Sequence, residues 1–158
     1  MGSIVISPLG AVPEFGAVVT HRIWAAWSES EGFTFEELKR DLACNLNGPG
    51  IPFTLVAHDG DAFLGTVSVI DDDLPVRPAI WPWLASLWVE PDARARGIGA
   101  RLIHESLTRA AAYAPALHLH ATADVAPFYE ARGWTAVEHE VNGVTIFRRP
   151  TRAPEAVS

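Results

Sequence analysis

The chain has 158 residues, a formal net charge of −7, 49% hydrophobic residues and 20% charged residues. That length and apolar content suit one domain around a single core and exclude a disordered chain, while the acidic balance argues against general nucleic-acid binding. No apolar run approaches the roughly 20 residues of a membrane-spanning helix; the N-terminal MGSIVISPLG has no basic region, and Ile6 stands where a myristoylation site carries Ser or Thr, so no signal peptide, no membrane association and a cytoplasmic location are expected.

Ser3 to Ser7 is a short β-rich run ended by Pro8 and Gly10. Pro13 stands near a helix start, where its missing N–H costs nothing. Phe15, Val18, Val19, Arg22, Ile23, Ala26 and Trp27 follow helical spacing, which predicts a first helix reaching about Ser28. Thr34-Phe-Glu-Glu37 reads as a capping box, and Leu38, Leu42 and Leu46 continue it into a second helix over about 35–47, ended by Asn47-Gly-Pro-Gly50. The lone Cys44 falls on that helix; it cannot close an internal disulfide, and a small apolar packing role and a reducing compartment suit it. Phe53–His58 and Ala62–Ile70 flank Asp59-Gly60-Asp61 as a hairpin.

The loop from Asp71 to Pro82 carries three consecutive aspartates and three prolines. An apolar strand opens at Trp83, breaks at Glu90-Pro91, and passes through Gly97 and Gly99 into a helix ending near Pro115. Leu117–Ala121 is a further strand. Asp124 is placed to cap a short helix carrying Phe128 and Tyr129 and stopping at Gly133. Trp134–Glu140 and Val144–Arg148 form a second hairpin about Asn142-Gly143. The order β-α-α-β-β-β-α-β-α-β-β is an α/β (α+β) chain with a mostly antiparallel, mixed sheet. It is expected as one domain over residues 1–150, with a frayed tail over 151–158.

The strand–glycine turn–helix around Arg94-Ala-Arg-Gly97-Ile-Gly99 is the segment that carries chemistry. The first amides of a helix have no partner inside it and, helped by the helix dipole, make a site for phosphate. Arg94, Arg96 and Arg101 add positive charge. The pattern is not a P-loop, because no Gly-Lys-Ser/Thr follows, and it lacks the third glycine of a dinucleotide fingerprint. By itself a two-glycine helix start is compatible with an anion site or with a tight turn.

Two segments together resemble the GNAT superfamily of N-acetyltransferases, in the manner of a bacterial-type member. LWVEPDARARGIGARLI (Leu87–Ile103) looks like the family's acyl-CoA pyrophosphate segment. ALHLHATADVAPFYEARGW (Ala116–Trp134) looks like the strand and helix that follow it, with their F-Y-x-x-x-G-aromatic ending. The resemblance implies an acetyl-CoA-dependent transferase that moves an acetyl group to a primary amine by direct attack, with both substrates bound at once. It implies no metal.

Carried onto this sequence, the resemblance implies that the backbone of Leu87, Trp88 and Val89 pairs with the pantetheine arm, which adds to the strand like another strand. The Leu87 amide would face the thioester carbonyl. Arg94, Ala95, Arg96, Gly97, Ile98, Gly99 and Ala100 would wrap the pyrophosphate, with Thr122 and Phe128 also on the cofactor. Tyr129 would donate a proton to the departing thiolate; a buried structural tyrosine beside Phe128 is the alternative. Some members carry a carboxylate base on the opening strand, where this chain has Trp83, Leu84, Ala85 and Ser86. Glu90 lies past the contact, in the turn.

The base is therefore open: a water relay, an amine already partly neutral, or a residue such as Glu29 or Glu31. The missing base also leaves room for a catalytically silent CoA-binding module or sensor. His118 and His120 share one strand face and either line the acceptor site or are satisfied sheet residues. Asp71, Asp72 and Asp73 either receive a cationic substrate or form a solvated loop. Trp24, Trp27, Trp81, Trp83 and Trp88 either form an aromatic wall or pack the core. The acceptor, a small-molecule or peptide amine, is not readable. The resemblance also implies a homodimer, for which the exposed edge of the last hairpin is the candidate surface.

Overall fold

The computed structural model describes residues 2–46 and 50–152. Seven strands form one sheet in the order β1-β2-β3-β4-β5-β7-β6: β1 Val5–Pro8, β2 Phe53–Asp59, β3 Ala62–Ile70, β4 Trp83–Val89, β5 Ala116–Ala121, β6 Thr135–Val141 and β7 Val144–Pro150. Every neighbouring pair is antiparallel except β4 and β5. That pair is parallel because a helix, α3 (Ile98–Ala110), carries the chain back between them. β7 inserts between β5 and β6, so the edge of the last hairpin is β6 alone.

Side-chain alternation along the strands sorts the core onto two faces. On one face Leu55, Val67, Val69, Leu84, Leu117 and Leu119 meet Ile98, Leu102, Ile103 and Leu107 of α3. Leu102 is fully buried, and truncating such a leucine to alanine costs about 2–5 kcal/mol. On the other face Val56 meets Leu9, Phe15, Val19, Ile23 and Leu42, from the first turns, α1 (Gly16–Ile23) and α2 (Phe35–Ala43). Farther along that face Trp83 packs with Leu74, Val141 and Ile146 beneath the 71–82 loop. The last helix, α4 (Ala126–Glu130), lies with α3, its Ala126 and Tyr129 packing on the first cluster.

Several predicted boundaries shift for local reasons. The first helix is α-helical only to Ile23; Trp24–Ser28 is a π turn, with the Glu29 amide bonding to the Trp24 carbonyl at 2.8 Å. The Thr34 capping box is present: Thr34 Oγ1 accepts from the Glu37 amide, and the Glu37 carboxylate accepts from the Thr34 amide. The second helix ends at Ala43 in a 3-10 turn, Cys44–Leu46, and Cys44 is exposed rather than packed. Residues 47–49 of its predicted stop lie outside the described residues.

Asp124 does not cap α4. Val125 occupies that position without a side-chain cap, and Asp124 instead accepts from the Thr122 hydroxyl. Of the expected frayed tail, Thr151 and Arg152 are bonded back to Ala114, Pro115 and Ala111; residues 153–158 lie outside the described residues. Among the described residues no helix is long and apolar enough to cross a membrane.

Candidate active site

The site begins where the sheet comes apart. β4 and β5 pair only at Trp83 and His118, with the His118 amide on the Pro82 carbonyl at 3.1 Å. Beyond that pair the strands diverge. Ser86 and Leu87 together stand opposite the single Val67 of β3, and Ser86 has φ +58°. This is a β-bulge, which leaves one residue unpaired and bends the strand. The result is a cleft of about 1100 Å³ whose walls include Ala85, Ser86 and Leu87 from β4, Leu119, His120 and Ala121 from β5, and Thr122, Val125 and Tyr129 beyond it.

At the far end of β4 the chain turns through Pro91–Ala93 into α3. Ala95 (φ +66°) and Gly97 (φ +75°) are both left-handed, and Gly97 is the N-cap of α3 with no side-chain cap. Alternating handedness of this kind turns successive amides outward into an anion-binding nest. A Cβ on Gly97 would meet nothing within 4 Å, so there the requirement is the backbone angle. Gly99 has no such angle, and a Cβ on it would rest at 3.8 Å from Phe128 and Val89. The fold tolerates a small side chain at 99; only a ligand lying on the turn would not.

The arginines divide. Arg94 donates from Nε to the Val89 carbonyl at 2.9 Å and lies 5.0 Å from the centre of the Trp88 ring. Arg101 points away and donates to the Ile4 carbonyl at 3.2 Å, tying α3 to the N-terminal strand. Arg96 is exposed. What the turn presents is therefore chiefly backbone amides, and Arg101 points away from it.

Tyr129 sits edge-on to Phe128 at 5.1 Å and to Trp134 at 6.1 Å. Its ring packs against the core and lines the cleft, and among the described residues its hydroxyl has no hydrogen-bond partner. Burial raises the phenol above the ordinary 10.0, with Arg132 pulling slightly the other way. The group is thus a protonated donor at neutral pH. Phe128 is exposed and stacks under Arg132 at 3.6 Å, close to Gly99.

The other wall of the cleft comes from α1–α2 and the 71–82 loop. It carries Glu31, Asp41, Asp71, Asp72 and Asp73, with Trp27 and Phe33. The π turn delivers Trp27, which meets Trp88 edge-on at 6.4 Å. The expected aromatic wall shrinks to this residue and its neighbour. Trp83 is fully buried, Trp24 is bonded to the Phe33 carbonyl, and Trp81 to Asp71 at 2.7 Å. Glu29 does not line the cleft, whereas Glu31 does. Glu90 is held by Arg22 and by Trp88 Nε1 at 3.3 Å, an anchor between α1 and the end of β4. Cys44, distant in sequence, also reaches this wall.

The aspartate triplet is not simply solvated. Asp73 Oδ2 lies 2.8 Å from His120 Nε2, and Arg77 of the same loop is paired with Glu138. The two histidines do share a face, each ring about 6 Å from Trp83, but they differ in setting. His118 Nδ1 lies 3.2 Å from the Pro82 carbonyl, and burial lowers its pKa; His120 lines the cleft, and the Asp73 carboxylate raises its pKa. Sequence reasoning had no signal for the Asp73–His120 pair, which joins residues of a loop and a strand, nor for the π turn at Trp27.

Residues 30–148 match the family model described as an acetyltransferase (GNAT) domain. No curated protein sequence matches the chain. Among solved structures, an aminoglycoside 6'-acetyltransferase type Ii is similar at 19% identity and TM-score 0.71, over 96% of this chain and 99% of that one. An aminoglycoside 6'-N-acetyltransferase complexed with coenzyme A is similar at 16% and 0.74, over 96% and 99%. An acetyltransferase from Thermus thermophilus is similar at 19% and 0.65, over 95% and 99%. At these identities the structural likeness establishes the fold.

Proposed function

Since the chain belongs to the GNAT acetyltransferase family, we propose that it acetylates a primary amine from acetyl-CoA, by direct attack with both substrates in the cleft. The observation that carries this is the parting of β4 from β5 with Tyr129 on its wall. A strand edge released from its neighbour offers backbone groups for a pantetheine arm to pair with, and the left-handed turn at Ala95–Gly97 offers amides for a pyrophosphate. The residues present thus suit the pantetheine arm and pyrophosphate: Leu87, Trp88 and Val89 would take the arm and Ala95 to Ala100 the phosphates, with Thr122 and Phe128 at the flank. Arg94 contributes its backbone there, since its guanidinium already serves Val89.

When bound, acetyl-CoA supplies the activated acyl group. The chain's own part is to hold the two reactants in one orientation, to offer the amide freed at the Ser86–Leu87 bulge to the developing oxyanion, and to protonate the leaving sulfur from Tyr129. The acid wall at Glu31, Asp41 and Asp71–Asp73 draws an alkylammonium toward the cleft. Incubation with acetyl-CoA and a broad amine panel, following free thiol, tests the reading. Thiol release above hydrolysis for at least one amine supports it. Raised melting temperature with millimolar CoA but no release for any amine would make the protein a silent CoA-binding module, for which the carboxylate-free start of β4 would be the cause.

A further inference from the structure

The strand position at which some relatives keep a carboxylate base is filled here by Trp83, Leu84, Ala85 and Ser86. The fully buried Trp83 faces the opposite side of the sheet from Leu84, and neither can accept a proton. The opening between the strands nevertheless contains a proton acceptor. His120 stands two residues past the last β4–β5 pair, on the strand facing Ala85 and the bulge across the gap. Its side chain is about one-third exposed, lines the same cleft as Leu87 and Tyr129, and is held by the Asp73 carboxylate at 2.8 Å.

We propose that His120, oriented by Asp73, is the base that deprotonates the acceptor ammonium. A neutral ring that donates from Nε2 to Asp73 carries its lone pair on Nδ1, so the carboxylate selects the tautomer. This rests on the N-acetyltransferase reading above. The ammonium gives one proton to Nδ1, and the freed nitrogen lone pair forms the bond to the thioester carbonyl carbon. The C–S bond breaks with its electron pair leaving on sulfur, which takes the proton of Tyr129. The second proton lost by nitrogen restores Tyr129, and the imidazolium releases its proton to solvent. One thiol, one amide and one net proton result.

His118 does not share the role. It does not line the cleft, its Nδ1 is at the Pro82 carbonyl, and Arg148 stands opposite it on β7. The charged groups facing His120 are Asp73 from the loop and Glu31 from the segment before α2. Ile146 is its partner on β7, and beyond it on β6 Glu138 is already paired with Arg77. The net field is negative, and the Asp73 carboxylate, with Glu31 behind it, keeps the histidine's pKa above the ordinary 6.5.

His120→Gln is the test, because Gln keeps a donor for Asp73 while losing the basic nitrogen. With an amine that wild type acetylates, turnover at neutral pH should fall by about 100-fold, with CoA affinity and melting temperature retained. The defect should shrink as pH rises toward the amine's own pKa, where a neutral amine needs no base. Asp73→Asn should move the acidic limb of the wild-type rate profile to lower pH. A His120→Gln enzyme with wild-type turnover, or one whose defect is the same at every pH, overturns the base role and leaves the transferase reading intact. Absence of turnover by wild type with every amine overturns both.

Discussion

The two walls of the cleft are built by different means. The β4–α3 wall works through backbone: a bulge with Ser86 at φ +58°, a left-handed turn at Ala95 and Gly97, and a strand edge with no partner beyond Trp83. Its side chains are mostly occupied elsewhere, Arg94 on Val89 and Arg101 on Ile4. The wall from α1–α2 and the 71–82 loop works through side chains: carboxylates, Trp27 and Phe33, and pairs that tie the loop to the sheet, Asp73 to His120 and Arg77 to Glu138. A backbone site suits a cofactor whose chemistry never varies, since any sequence that keeps the angles keeps the site. A side-chain site can be changed residue by residue, and it is the wall that would decide which amine is accepted.

The largest effect expected from this division is on glycine. Gly99→Val should weaken CoA binding by at least about 100-fold, equivalent to about 2.7 kcal/mol, because its branched side chain would fill the space over the turn, where an added Cβ alone meets Phe128 and Val89 at 3.8 Å. Gly97→Val should weaken it similarly and also lower the melting temperature, since its φ of +75° strains any branched residue. Calorimetric titration of CoA checks both; normal affinity in both would mean that the backbone wall does not hold phosphate.

The next effect separates chemistry from binding. Tyr129→Phe should lower turnover by about 100-fold while leaving CoA affinity within a factor of a few. A variant with wild-type turnover removes the hydroxyl from the mechanism and leaves Tyr129 as core packing.

The smallest effect tests the side-chain wall through stability. His118 has a lowered pKa, so its native state resists protonation; it costs stability as pH falls below 6.5 and costs nothing above it. His120 has a raised pKa, so its pairing stabilises below 6.5 and is lost as pH rises through its higher native value. Melting temperature against pH from 5 to 8 should therefore tilt in opposite directions for the two variants relative to wild type. His118→Gln should gain on the acid side, and Asp73→Asn should lose there. Parallel curves would mean that the two histidines share one environment.

Much of this was legible beforehand. Both hairpins, the Thr34 capping box, the glycine turn and the Phe128-Tyr129 helix rest on local signals: turn dipeptides, side-chain spacing, a cap three residues from its partner. The strand, turn and helix of the backbone wall were legible for the same reason, since they are contiguous in the chain; its bulge at Ser86 was not. The side-chain wall was not. Glu31, Asp73 and His120 come from three separate segments, and no spacing links them.

The π turn at Trp24–Ser28 was hidden as well, because an i+5 bond leaves apolar spacing almost unchanged while rotating Trp27 toward the cleft. The element order, the mostly antiparallel character of the sheet and the glycine turn before α3 follow from the sequence, because each is encoded in residues within a few positions of one another. Tertiary packing alone makes β4 and β5 part after a single pair, carries Arg101 to the Ile4 carbonyl just before β1, and lands Asp73 on His120. Each of these depends on how far two distant segments approach in space, a distance set by the packing of α3 on one face of the sheet and of the 71–82 loop on the other.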